Sequence, residues 1–254
     1  MLSEGLFAHS SGAMWIDSSR TLVVADIHLG YSWAQRRRGE LGPLADECAK
    51  QKLNSACDEL HPAEIVFLGD VVHAPRPCQP ERQWIEETLM SLAERMRLTA
   101  VRGNHDRAFA REFGHLPIEQ VNTWETDRFI ALHGDRFDTP IPEGRLLVIG
   151  HIHPSLTAKD AAGAPQKLPL FLVSPSCIVL PAFSPFAGGY DVSRGLRPPI
   201  ADLFRNEPVQ AVAVSGKRAL RLGALNRVLE RMDEADLGAP AQFRGLRRRQ
   251  TSEP

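Results

Sequence analysis

The chain has 254 residues, 43% of them hydrophobic, and a net charge of -1 at pH 7. That much apolar material supports one large α/β domain or two small ones, and it excludes disorder throughout. A near-neutral chain also lacks the positive excess by which proteins coat nucleic acid through charge alone, so any such contact has to be local.

The opening segment MLSEGLFAHSSGAMW has no basic stretch followed by an apolar run, and no apolar stretch reaches the ~18 residues that cross a bilayer. The four cysteines, Cys48, Cys57, Cys78 and Cys177, show no CxxC spacing and suit reduced thiols better than a disulfide framework. The expectation is a cytoplasmic protein with no membrane partner.

Strands are expected at TLVVAD (21–26), EIVFLGD (64–70), LTAVRGN (98–104), RFIALHG (128–134) and RLLVIGH (145–151), each an apolar or β-branched run that ends in a polar or glycine-containing turn. Between the first three lie two helical patterns, one opening with Pro43 and one with Pro80. Strand and helix in alternation imply a largely parallel sheet. After residue 165 the runs LPLFLVS, CIVLPAF, PPIADLF and VQAVAVS are strand-like and lack long helices, which predicts a second sheet in the same domain. The fold class is therefore α/β, two mixed β-sheets packed as a sandwich and flanked by helices. A single domain is expected over 1–235, with a mobile, Arg-rich tail over 236–254.

The chemistry-bearing residues stand at the strand ends: Asp26 and His28 in ADIHLG, Asp70 and His73 in LGDVVH, Asn104, His105 and Asp106 in RGNHDR, His133 in LHGD, and His151 and His153 in GHIH. Six of the nine histidines fall in these turns. In parallel α/β sheets the carboxyl ends of the strands form the rim where ligands bind. His151 and His153, one residue apart at a strand end, point to one face. Taken singly, each motif is also compatible with an ordinary turn or helix cap. Five of them in series favour a site.

The series D-x-H, G-D, G-N-H-D, H-G and G-H-x-H, over residues 21 to 153, resembles the calcineurin-like metallophosphoesterase superfamily. Within it, LVVADIHLGY, RRRGE, FLGDVVHA, RGNHDR and LPAFSPFAGGYDV are similar to segments of the bacterial DNA ligase-associated phosphoesterase group and its archaeal relatives. Tyr31 departs from that group, many of whose members carry Lys there. Carboxylate, amide and imidazole ligands without thiolates suit Mn, Fe or Zn better than Ca or a structural zinc site. The resemblance implies two divalent transition-metal ions, manganese first, with Fe or Zn as alternatives. It implies Asp26, His28 and His153 on one ion, Asn104, His133 and His151 on the other, and Asp70 shared between them.

His105 lies beside a ligand and remains unassigned to metal, which suits it to donate a proton to a leaving alkoxide. Asp106 either orients that imidazole or caps a helix. His73 lines the substrate side or lies at the surface, and Arg107 binds phosphate or makes a surface ion pair. Gly188 and Gly189 do not follow the P-loop spacing. The Arg clusters QRRRGE and RGLRRRQ suit either a polyanionic partner or plain solvation.

The leading expectation is a phosphodiesterase acting in DNA repair. A phosphomonoesterase or nucleotide pyrophosphatase with the same centre is the alternative, and a non-catalytic scaffold the third. A phosphate ester substrate such as a nucleic acid end and a homodimer are expected, and the resemblance further implies association with DNA ligase or helicase machinery.

Overall fold

The computed structural model describes residues 1–40, 44–137, 144–159, 162–196, 200–204 and 206–238. The first sheet begins with a hairpin, β1 (Leu6–Ala8) and β2 (Met14–Ile16), followed by β3 (Thr21–Val24). The chain then forms α1 (Tyr31–Arg37), α2 (Ala45–Leu60), β4 (Glu64–Leu68), α3 (Gln79–Ala93), β5 (Arg97–Val101), α4 (Phe109–Phe113) and β6 (Ile118–Val121). These six strands lie side by side in chain order. The hairpin pairs antiparallel, and β3 through β6 pair in parallel.

The chain crosses to the second sheet at β7 (Trp124–Glu125), followed by β8 (Phe129–Leu132), β9 (Leu146–Ile149), β10 (Ser155–Lys159), β11 (Pro165–Val173) and β12 (Cys177–Val179). A single helical turn, α5 (Ile200–Leu203), precedes β13 (Gln210–Ser215), β14 (Arg218–Ala224) and α6 (Leu225–Gly238). The strand order is β14-β13-β11-β12-β9-β8-β7, with β10 paired to β11. Among the described residues of this sheet, only the neighbouring pairs β8–β9 and β9–β12 are parallel.

Every strand residue of β4 is buried because both faces of its sheet are covered. Ile65 and Phe67 point to α2 and α3, where they meet Leu53, Ile85 and Leu89. Val66 and Leu68 point the other way, into an inter-sheet core with Val148, Phe171 and Ile178. The far face of the second sheet packs Leu170, Leu172 and Ala213 under α6. The result is the expected sandwich of two mixed sheets with helices outside.

Three local expectations are corrected. RFIALHG and RLLVIGH belong to the second sheet, and the first parallel set ends at β6. Within PPIADLF, residues 200–203 form a helical turn where a strand was expected, since Ala and Leu favour helix, and Pro198 and Pro199 lie outside the described residues. The region after 165 does carry a long helix, α6, whose Leu225, Val228, Leu229 and Met232 recur at helical spacing and cover the sheet. The hairpin β1–β2 and the helix α1 were not anticipated. Pro43, the cluster RGLRRRQ and residues 239–254 of the expected tail lie outside the described residues.

Candidate metal centre

Asp26 and His28 follow β3, Asp70 follows β4, Asn104 and His105 follow β5, His133 follows β8, and His151 and His153 follow β9. Three of these strands belong to one sheet and two to the other. The site is therefore a seam between the ends of two sheets, where one continuous rim was expected.

The seven expected ligands meet there in two groups. Asp26, His28 and His153 bring ligand atoms within 4.8 Å of one another, and so do Asp70, His133 and His151. Asn104 joins the second group, its Oδ1 standing 3.0 Å from His133 Nε2, which is 3.2 Å from His151 Nδ1. In the first group Asp26 Oδ1 lies 3.1 Å from His153 Nε2. Atoms bound at ~2.1 Å to one ion sit ~3.0 to 3.4 Å apart, so these separations are edges of a coordination shell. One oxygen stands between the groups: Asp70 Oδ2 is 3.5 Å from His133 Nε2 and 3.9 Å from His28 Nε2.

The residues fit divalent cations on a second count. His28 Nδ1 is buried without a hydrogen-bond partner, and the buried Asp26 Oδ1 and His153 Nε2 have none beyond their 3.1 Å approach to each other. Buried polar atoms left unpaired in one spot are costly, and a cation between them removes that cost.

The backbone is bent to make this possible. Asp26, His28, Asp70, His151 and His153 all have positive φ, between 48 and 60°. That conformation costs an L-residue energy, although short polar side chains tolerate it best. It turns consecutive strand-end side chains inward. Adjacent glycines clear the space: a Cβ on Gly103 would strike Asp70, and one on Gly69 would strike the His133 ring. Ladder bonding continues into the loops, with His28 N–H donating to Asp70 O at 2.9 Å and Gly150 N–H to His133 O at 3.0 Å.

Residues 19–175 match the family model of the calcineurin-like phosphoesterases. The chain belongs to that family. Like its other members, this phosphoesterase is a metal-dependent hydrolase. Among solved structures, the nuclease MPE of Pseudomonas putida is 23% identical over 85% of this chain and 94% of that one, with a TM-score of 0.64. Yfce, a phosphoesterase from E. coli, is 16% identical over 81% and 97%, with a TM-score of 0.41. The likeness to the nuclease is one of fold. No curated protein matches the sequence. Among the described residues, no helix is long and apolar enough to cross a membrane.

Charge in the phosphoesterase centre follows the same partition. Burial alone would raise the Asp26 carboxyl, but His153, then His133 and His28, outweigh it and hold it below the usual range. Burial raises Asp70, with His133 and the His105 N–H opposing. Burial presses His28 down to about 3, and His151 is lowered by burial and by the charge of His133. His153 is raised, because Asp26 more than offsets its burial. Imidazoles kept neutral by burial are ready to bind a cation.

The His105 ring is anchored by Nδ1 to the carbonyl of His73 at 2.7 Å. A carbonyl only accepts, so Nδ1 carries the proton and Nε2 is the atom left for chemistry. The Asp106 carboxylate does not orient this ring. It accepts backbone N–H bonds from Gly103 at 3.0 Å, Val72 at 3.1 Å and Val71 at 3.3 Å, tying the loop after β4 to the turn after β5. Burial, followed by the nearby Asp70 charge, lifts Asp106 to about 6.

His73 belongs to the site. Its ring stacks on His105 at 5.4 Å and meets Tyr31 edge-on at 5.0 Å, and His28, His73 and His105 form a third convergent group without a carboxylate. Burial, then His105, Arg38 and Arg37, press it down to about 4. Asp46 was not singled out in the sequence. It accepts from Gly30 N–H at 2.8 Å and Ser32 N–H at 3.0 Å, and so fixes the HLGY loop behind His28. An acid in the first turn of a helix was its one visible signal.

Proposed function

We propose that the chain hydrolyses phosphodiester bonds at a two-ion centre, with manganese as the resident ion and nucleic acid among its substrates. The observation that carries this reading is the position of Asp70 Oδ2 between two ligand groups, beside an imidazole that belongs to neither. Asp26, His28 and His153 would hold one ion, Asn104, His133 and His151 the other, and Asp70 both. Such ions supply positive charge for a phosphoryl group and lower the pKa of an attacking water.

The remaining work falls to the chain. The His105 N–H holds Asp70 Oδ1 at 2.8 Å, leaving Oδ2 turned to both groups. The His151 N–H holds Asp26 Oδ2 at 2.9 Å in the same way. As the bond between phosphorus and the leaving oxygen breaks, the doubly protonated His105 ring gives its Nε2 proton to that oxygen, keeps its Nδ1 proton on the His73 carbonyl, and takes a proton back from water. His151 is exposed, and Asn104, His105 and His153 are only partly covered. That leaves space for an ester arm on each side of the phosphorus, which a monoester does not need. The P. putida nuclease shares the fold, and its named activity agrees with this reading.

The test is a turnover panel of Mn-loaded protein against bis-p-nitrophenyl phosphate, p-nitrophenyl phosphate, single-stranded DNA and nucleoside diphosphate compounds. The reading expects the diester and the DNA to be cleaved faster than the monoester. Preference for p-nitrophenyl phosphate would make the chain a phosphomonoesterase.

A further inference from the structure

Beside the second ligand group lies an open cleft of about 730 Å³, with Asn104 and His133 in its wall. Its other lining includes Arg102, Arg107 and Arg136, against one acidic residue, Asp135. Only Arg136 is engaged there, at 3.7 Å from Asp135. Among the described residues the Arg102 and Arg107 guanidiniums have no hydrogen-bond or ion-pair partner. Asn122 adds a neutral donor to the wall, whereas the Thr123 hydroxyl already donates to Glu125 at 3.2 Å.

In a chain of net charge -1, three arginines around one cleft are a local concentration of positive charge. Guanidinium groups suit phosphate oxygens, which they grip in pairs. The two ligand groups already account for one phosphate, and these arginines lie to one side of it. We propose that the cleft is a subsite for a further phosphate of a nucleic-acid strand whose neighbouring diester lies on the metal centre. Arg102 and Arg107 then determine specificity for strands over small diesters. The inference rests on the phosphodiesterase reading and names its substrate class more narrowly.

The test compares wild type with an Arg102→Gln, Arg107→Gln double variant, both Mn-loaded. Substrates are an unstructured single-stranded oligonucleotide, bis-p-nitrophenyl phosphate and a nucleoside pyrophosphate, at low and moderate salt. The kcat/KM ratio of oligonucleotide to aryl diester should fall at least tenfold, mainly through KM. The salt dependence should flatten by about 1.4 in log-log slope, at ~0.7 per lost strand contact. An Arg102→Lys, Arg107→Lys variant should keep the wild-type slope, because it keeps the charge. An unchanged ratio and slope in the Gln variant overturn the subsite. Loss confined to nucleoside pyrophosphates overturns the strand assignment. A wild type that cleaves neither diester removes the phosphodiesterase reading instead. Fluorescence anisotropy of the labelled oligonucleotide then decides the subsite by itself: weaker binding by the Gln variant supports it, and equal binding overturns it.

Discussion

At the scale of single residues, two histidines of one seam make opposite forecasts. His105 is anchored through Nδ1 to a carbonyl and lies outside both ligand groups, so His105→Ala should leave metal content near normal. It should lower kcat on a diester with a poor leaving group by ~10² to 10⁴, the range for loss of a general acid. p-Nitrophenolate leaves without much help, so its release should suffer less. His151→Ala removes a proposed ligand atom, and elemental analysis should find lost metal together with lost activity on both substrates. Equal slowing of both leaving groups by His105→Ala would return that residue to the ligands or to substrate positioning. Acidification supplies a second forecast. His28 and His73 sit at about 3 and about 4 in the folded protein, against about 6.5 unfolded. As pH falls below about 6.5 the unfolded chain takes up protons that the folded one refuses, so stability drains away toward the folded values. Asp106, raised to about 6, and the raised His153 pull in the opposite direction, while the lowered His151 adds to the loss, so three lowered histidines outweigh them. The melting temperature of EDTA-treated protein should therefore drop between about pH 7.5 and 5.5, and His28→Gln should flatten the decline.

At the scale of elements, the strand ends were legible and their sheet was not. Each of the five runs ends in a motif whose residue types announce a ligand, and local sequence carries that signal whichever sheet the strand joins. What separates β8 and β9 from β3–β5 is the short passage from β6 into β7, too brief for a parallel crossover within one sheet. α6 was visible in principle, since Leu225, Val228, Leu229 and Met232 have helical spacing, but polar residues between them hid it. Asp106 shows the limit on the site itself: its position beside His105 is in the sequence, whereas the three backbone amides it binds come from two separate loops. Asp106→Ala would leave those amides unpaired and cost on the order of 3 kcal/mol. A chemical denaturation curve should show that loss even in metal-free protein. A change confined to the pH profile of turnover would instead support a direct role on the imidazole.

At the scale of the whole molecule, the ions would reinforce a junction between two sheets that already meet at this end through the His151 N–H bond to Asp26 and the contact of His133 with Asn104. Asp26, His28, Asp70 and Asn104 come from one sheet and His133, His151 and His153 from the other. An ion held at 100 times its dissociation constant adds about 2.7 kcal/mol, roughly 5 to 10 °C for a chain of this size. Manganese should raise the melting temperature by at least that much, and Asp70→Asn should forfeit more than half of the gain. The left-handed backbone at five proposed ligand positions has an evolutionary consequence. Each holds a side chain where glycine or asparagine sits with less strain, at a cost of about 1 kcal/mol or more. His151 is exposed, so His151→Asn opens no cavity and should make the metal-free protein melt higher while abolishing turnover. Selection for heat resistance alone would reach the catalytic seam before the hydrophobic core, and the hardiest descendants of this chain would be inert.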